Sequence, residues 1–576
     1  IMQRLSKKYP KTNTGISAYI TSIPGSGGRG GEPVIYAMHI VAVLILVLAS
    51  INVGNLLLSR AVERGKETAI RVALGAPRGR LISQMLWESI IICVLGGLVG
   101  FLVMAWGLEL TEGIVDTFYA DPMAFWWVFG IDAYTVKLSI SIVIVTILVT
   151  GLIPAWRNSG GDFNAVLRDG TRGSLSKKAG RVNKLLVISE IFISVTVLIV
   201  AAVLVQSAYE QSHKDIGVNT NNVLVANVLL AENNYASASD KTLFVNALKS
   251  QLENSTAING VMIASALPGH FSAKKSIAIN GKEYGKASNN SYPKTNYITT
   301  MPGSLASLGV ELRHGRYFNQ ADNGIDKKTA LVSELFADMH FPKESAIGKR
   351  FRLVNSDNEI EDWLTIVGVV EHTIQGSREG YSANVPVVYR AFSQDPVSKL
   401  TVALKMNATI NTVTKTLRKA LQSLDSELPS YRIETYLASN ERITAPIIFI
   451  SNLTALFALA ALCLAASGIY GVMSNTINQR TQEIGVKQAL GADETRITKE
   501  FLLTGLKLLF LGGIPGALLG GFMGFAMGQR FGSDITVLVM IISTMLTIIG
   551  ATVMLATYLP TKRALTLEPS QALHYE

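Results

Sequence analysis

Glu63-Arg-Gly-Lys-Glu-Thr-Ala-Ile-Arg-Val-Ala-Leu-Gly-Ala76 returns later in the chain as Gln479-Arg-Thr-Gln-Glu-Ile-Gly-Val-Lys-Gln-Ala-Leu-Gly-Ala492. The copies align without a gap: Arg64 with Arg480, Glu67 with Glu483, Arg71 with Lys487, and Ala73-Leu74-Gly75-Ala76 with Ala489-Leu490-Gly491-Ala492. Each lies between long apolar runs, so each reads as a short polar hairpin between membrane spans. A duplication of this kind sets the architecture. Glu67 and Arg71 stand four residues apart, as do Glu483 and Lys487, the acid-before-base spacing that supports a helix. Ile70, Ala73 and Leu74 share one face, as do Val486, Ala489 and Leu490. Gly75 and Gly491 supply the left-handed residue that closes a helix. Pro77 then suits a first helical turn, and Asp493 suits an N-cap. One copy alone reads equally well as a charged loop that fixes topology. Two copies at equivalent places argue for a docking element.

Working outward, the chain of 576 residues is 49% hydrophobic and only 16% charged, with a formal net charge of +10. A soluble protein of this length carries more charge. Seven apolar stretches are long enough to cross a bilayer: about 36–58, 82–106, 136–154, 185–205, 445–473, 497–527 and 535–559. The two hairpins, the linker with Arg157, Arg168, Arg172, Lys177, Lys178, Arg181 and Lys184, and the tail with Lys562 and Arg563 are basic, which places them in the cytoplasm. The loop 107–132 has acids and interfacial aromatics but no Lys or Arg, and lies outside with the polar region 206–443. Positive charge is thus a topology signal, and nucleic acid is not expected as a partner. The expected units are 1–35, the tail of an outside domain; 36–158, a first membrane half of three spans; 159–184, a cytoplasmic linker; 185–205, a span; 206–443, an outside domain; 444–560, a second half of three spans; and 561–576, a cytoplasmic tail. Opening at Ile1, with no leader or first span ahead, the chain reads as N-terminally truncated.

The outside region reads as mixed α/β, one large domain or two lobes. Val223–Leu230, Trp363–Val370 and Val385–Tyr389 are β-rich, whereas Lys241–Leu252 and Ile410–Leu424 have helical spacing. Cys93 and Cys463 fall inside apolar runs, and His270, His314, His340 and His372 are scattered, so no metal site and no catalytic constellation is expected. The glycine-rich patch at 25–31 lacks the lysine of a phosphate loop, and Gly-x-x-x-x-Gly-Lys-Ser/Thr does not occur in the sequence. This chain is therefore expected to be no enzyme and to bind no cofactor.

The motif at Glu483–Ala492 resembles the signature of FtsX-like/MacB-type ABC transporter permeases. Leu305–Phe318, Ala346–Arg352 and Ile366–Val370 resemble their periplasmic core domain. Two permease halves in one chain are similar to the acidobacterial duplicated orphan permeases. The first motif copy is looser, with Thr68-Ala69 where the second has Ile484-Gly485. The resemblance implies an α-helical polytopic membrane protein with an α+β MacB-like periplasmic core domain, in the bacterial inner membrane. It also implies a mechanotransmission permease. A cytoplasmic ABC ATPase dimer, carrying the ATP and Mg, would dock through Arg64, Glu67, Arg71, Gly75, Arg480, Glu483, Gly485, Lys487 and Gly491, and a periplasmic adaptor is a further candidate partner. A signal transmitter acting on an extracytoplasmic partner is the alternative on the same fold. A secondary transporter is disfavoured, because it needs polar residues near the midplane of the spans and no such cluster is evident there. Drugs, peptides, lipids and lipoproteins all remain open as substrates.

Two features of the spans complete the reading. Gly512, Gly516, Gly520, Gly524 and Gly528 recur every fourth residue, a small-residue ridge for close helix packing, and Gly96 and Gly100 match the first two in the other half. Glu88, Glu190 and Lys507 sit near cytoplasmic ends, where snorkelling or helix–helix pairing is favoured over an ion path.

Overall fold

The structure, a computed structural model, describes residues 32–63, 77–118, 129–152, 174–284, 292–354, 360–376, 384–428, 430–478, 480–531 and 534–566, with Arg4 and Lys8 besides. Among them are seven helices long and apolar enough to span a membrane. The first four are α1 (Glu32–Glu63), α2 (Arg78–Phe118), α3 (Ala133–Ile147, continued by a π-helical turn Leu148–Leu152) and α4 (Ser174–His213). The outward loop expected from residue 107 begins later, because α2 runs unbroken to Phe118 and carries Glu109, Glu112 and Asp116. No proline interrupts Gly107–Phe118, and Leu108, Thr111 and Val115 extend one face of the helix. Asp132 caps α3, its carboxylate accepting from Thr135 N at 2.7 Å.

The polar region folds into two lobes. The first comprises β1 (Val223–Leu229), α5 (Ala238–Glu253) and β2 (Ile258–Ala264), completed after a long excursion by β10, α7 and β11. The excursion holds β3 (Ala273–Ile279), β4 (Lys294–Thr300), β5 (Leu312–Gly315), β6 (Thr329–Ser333), α6 (Glu334–His340), β7 (Arg350–Val354), β8 (Leu364–Val370) and β9 (Val387–Ala391). The returning elements are β10 (Lys399–Met406), α7 (Ile410–Leu424) and β11 (Ser430–Thr435). Strands β11-β1-β10-β2 lie in that spatial order and are all antiparallel, the arrangement of a split β-α-β unit interrupted by the excursion. Period-two alternation divides the faces of this sheet. Leu224, Ala226 and Val228 of β1 pack on Val245 and Leu248 of α5 and Val413 and Leu417 of α7, whereas Val223 and Val225 face the second lobe.

In the second lobe β4-β3-β7-β8-β6-β9 follow one another, and β9 returns to pair with β4 in parallel, closing the sheet on itself. Ile277, Ile279, Phe351, Leu353, Ile366 and Val388 fill its interior. Closure leaves no unpaired edges among these strands. The β-rich runs and helices expected from sequence coincide with β1, β8, β9, α5 and α7. β9 starts two residues late, after Pro386, which has no N–H to give a ladder.

The chain returns through α8 (Tyr436–Asn478), the short α9 (Thr481–Ala489), α10 (Glu494–Phe531) and α11 (Ile535–Leu565). Helix α4 is the centre of the bundle. Val187, Ile191, Val195 and Ile199 pack against α8, α10 and α11, and Ile193, Val197, Val200 and Leu204 against α1 and α8. Helices α2 and α3 pair at the periphery and expose Trp87, Leu95, Leu98, Leu102 and Trp106, a surface suited to lipid.

Candidate functional site

The second hairpin is a seated helix. Ile484, 2% exposed, enters an apolar socket of Ile477, Ile497, Phe501, Ala564 and Leu565. Gln488 Nε2 donates to Leu565 O at 3.2 Å, fastening the helix to the end of α11. Lys487 Nζ lies 3.0 Å from Glu483 and 3.0 Å from Glu500 of α10, and Glu500, then Glu483, hold the ammonium above the usual lysine range. Gly491 adopts φ +86°, and Ala492 N donates back to Lys487 O at 2.9 Å, the left-handed stop the sequence predicts. Gly485 is buried beside Ile484, and Arg480 is exposed where the helix begins. The helix also shows an apolar face to water: Val486 and Ala489 are exposed, and Leu490 is 83% exposed. The seating comes instead from Ile484, one step round the helix from the face the periodicity marked as apolar. Arg64, Glu67, Arg71 and Gly75 of the first copy lie outside the described residues.

The glycine ridge of α10 lies along α4. A Cβ on Gly512 would stand 2.6 Å from Ile188 O, one on Gly516 2.7 Å from Phe192 O, one on Gly520 3.1 Å from Ile199 Cβ, and one on Gly524 3.0 Å from Val203 Cγ2. Thr196 Oγ1, within this contact, shares its proton between Phe192 O at 2.8 Å and Gly516 O at 3.3 Å. Gly528 lies in α10 beyond the residues whose surroundings are described. For Gly96 and Gly100, where the sequence also predicts close packing, a Cβ on either meets nothing within 4 Å among the described residues. The reason is position. Helix α4 fills the ridge of α10, whereas among the described residues no helix stands in the corresponding place beside α2. The close approach on α2 is at Gly97, whose Cβ would lie 2.7 Å from Val143 Cγ2 of α3.

The FtsX-like permease C-terminal family matches residues 39–160 and again 455–569, and the MacB-like periplasmic core domain family matches 185–420. The chain belongs to the MacB-type ABC transporter permeases. A protein of Pasteurella multocida described as a macrolide export ATP-binding/permease protein MacB is 27% identical over 275 residues, 46% of this chain and 40% of that relative. A second such protein, MacB 2 of Aeromonas hydrophila, is 26% identical over 286 residues, 46% of this chain and 41% of the relative. The chain thus spans about two fifths of the length of these curated relatives. The solved periplasmic region of MacB from Actinobacillus actinomycetemcomitans is similar at 15% identity and a TM-score of 0.26, over 39% of this chain and 94% of that one. The permease is a multi-pass inner-membrane protein whose two-lobed domain is periplasmic.

Reading the sequence alone missed one constellation in the permease. Glu190 does not snorkel: it is 0% exposed and meets Asn52 and Asn55 of α1 beside Gly468 of α8. Of the two expectations for Glu190, helix–helix pairing is the one seen, with partners the sequence did not name. Lys507, by contrast, is exposed on the outside of the bundle.

Proposed function

We propose that this chain is the permease subunit of an ATP-driven export or extraction system of the mechanotransmission kind. Separate cytoplasmic ATPase subunits grip the hairpins at Glu67–Ala76 and Glu483–Ala492, and their closure shifts the spans and the periplasmic lobes. The observation that carries this is the form of α9. It is held to α10 and α11 by Ile484, Gln488 and Lys487, yet Val486 and Leu490 project into water from the same short helix. A loop that only fixed topology would need neither the firm seat nor the exposed apolar pair. A partner covering Leu490 gains roughly 1.5–3 kcal/mol from that side chain alone.

The test is Leu490→Glu, at a position too exposed for the change to disturb the fold. Membrane insertion and thermal stability are expected to match wild type, while the ATPase that co-purifies with the wild-type chain from native membranes is lost. Wild-type ATPase stoichiometry and coupled ATP turnover in the variant, or no ATPase on the wild-type chain, would show the hairpins to be topology loops.

A further inference from the structure

Glu190 lies about two helical turns inside α4 from Lys184, walled by α1 and α8. Its Oε1 accepts from Asn55 Nδ2 at 2.9 Å, and Asn52 Nδ2 donates to Leu464 O of α8 at 2.7 Å. Each amide nitrogen thus gives one of its two N–H groups to these bonds. Three buried acceptors have no donor among the described residues: Glu190 Oε2, Asn52 Oδ1 and Asn55 Oδ1. Turning the Asn52 amide over does not help, because its oxygen would then face the carbonyl of Leu464. The absence of a side chain at Gly468 makes the room: a Cβ there would stand 2.5 Å from Glu190 Oε1 and closer still to Asn52 Oδ1. The carboxyl and the Asn52 oxygen thus share one small notch, acceptor beside acceptor. No charged side chain of α1, α8, α10 or α11 pairs with Glu190 among the described residues. An ionised carboxylate withdrawn from water with one amide hydrogen bond is a costly arrangement, and a surplus of acceptors around it adds repulsion. Water molecules would supply donors but no charge.

We propose that Glu190, Asn52 and Asn55 form an intramembrane site for one small cation, a proton or an alkali-metal ion. The single positive charge neutralises the carboxylate and gives the surplus oxygens a partner. Because Asn52 and Asn55 belong to the first permease half, Gly468 to the second and Glu190 to the span between them, the bound cation joins the two halves inside the bilayer. The inference stands apart from the proposal about the hairpins and does not depend on it.

The experiment is infrared spectroscopy of the full chain in lipid nanodiscs, wild type against Glu190→Gln, with radioactive sodium binding measured on the same samples. For a proton, the substitution removes the carbonyl band of a protonated carboxylic acid and leaves the carboxylate bands unchanged. For an alkali ion, it removes a carboxylate band that shifts when sodium is replaced by choline, together with one bound sodium per chain. Either result supports the site and says which cation fills it. Loss of a carboxylate band that is insensitive to alkali ions, with no bound sodium, overturns it. Asn52→Leu covers the case in which Glu190→Gln does not insert. It keeps the carboxyl but removes one of the facing oxygens, so the Glu190 band moves if the site is real, and an unmoved band refutes it.

Discussion

Adding a single methyl group at Gly516 is the sharpest test of how α4 and α10 are held together. The Cβ of alanine would stand 2.7 Å from Phe192 O, 3.1 Å from Val195 Cβ and 3.2 Å from Phe192 Cα. Carbon approaches a carbonyl oxygen comfortably at about 3.3–3.6 Å, so the helices must part locally by roughly half an ångström or more. Both nearest obstacles on α4 are main chain or β-carbon, and no rotamer change can relieve them. A gap of that size forfeits about a quarter of each neighbouring contact's dispersion energy, and overpacking of this kind costs about 1–3 kcal/mol. The Thr196–Gly516 hydrogen bond, already 3.3 Å long, would stretch and lose about 0.6 kcal/mol. The better helix propensity of alanine returns up to about 1 kcal/mol. The net expectation is a loss of about 1–3 kcal/mol for Gly516→Ala. Gly512→Ala should be similar and Gly520→Ala milder, because its nearest obstacle is 3.1 Å away. Gly96→Ala is the internal control, having nothing within 4 Å. The assay is size-exclusion chromatography of the full chain in detergent after graded heating. If Gly516→Ala and Gly96→Ala melt together, the ridge does not bear on α4 and the reasoning fails.

Three further outcomes concern the periplasmic lobes and the hairpin seat. The buried Asp322 carboxylate accepts from Arg316 Nη2 at 3.0 Å, Thr329 Oγ1 at 3.0 Å and Asn319 N at 2.9 Å; Asp322→Ala should cost the domain about 2 kcal/mol in urea unfolding, less than for a fully buried pair because Arg316 can return to water. Burial pushes that carboxyl up, and Arg316, Asn319 and Thr329 more than reverse it, so its contribution should persist at neutral pH and fade only below the usual carboxylate range. Burial, then Lys282, pushes His340 down to about 4. The folded imidazole stays neutral while the unfolded one takes a proton from about pH 6.5 downward, so stability should hold above that and fall by about 1–2 kcal/mol by pH 5; His340→Gln should flatten this slope in pH-scanned thermal melts, and an unchanged slope would place the titration elsewhere. Ile484→Ala, which empties the socket under α9, should speed proteolysis of the hairpin while leaving the melting of the spans near wild type.

Much of the fold was legible because membrane spans and amphipathic helices announce themselves locally. α7 matches its expected limits to the residue, since Thr409 caps it and Val413, Leu417, Ala420 and Leu421 mark its buried face. The stop at Gly491 was likewise readable from a single residue type. The closed sheet of the second lobe was not, because β4 and β9 meet in parallel across about ninety residues and no local pattern encodes that pairing. Nor were the partners of Glu190: the sequence marks it as a charge that could pair between helices, but Asn55 and Glu190 are separated by 135 positions. At Gly96 and Gly100 the repeat in the sequence is not matched by a repeat of neighbours among the described residues: a Cβ on either meets nothing within 4 Å, whereas α4 lies along the ridge of α10.

Helix α8 is one unbroken rod of 43 residues, about 65 Å long at the α-helical rise. One end is anchored in the periplasmic core, where the buried Tyr436 hydroxyl donates to Pro268 O at 2.6 Å. The other end delivers the chain to α9. Such a rod converts angle into stroke: a tilt of about 5° about its midpoint swings each end by roughly 3 Å. Its stiffness is not uniform, because Pro446 lies inside it and removes one rung of the hydrogen-bond ladder ten residues from the periplasmic end. The weakest rung of the rod therefore lies at the periplasmic edge of its membrane span, three residues beyond the outside domain, rather than in the middle of the bundle.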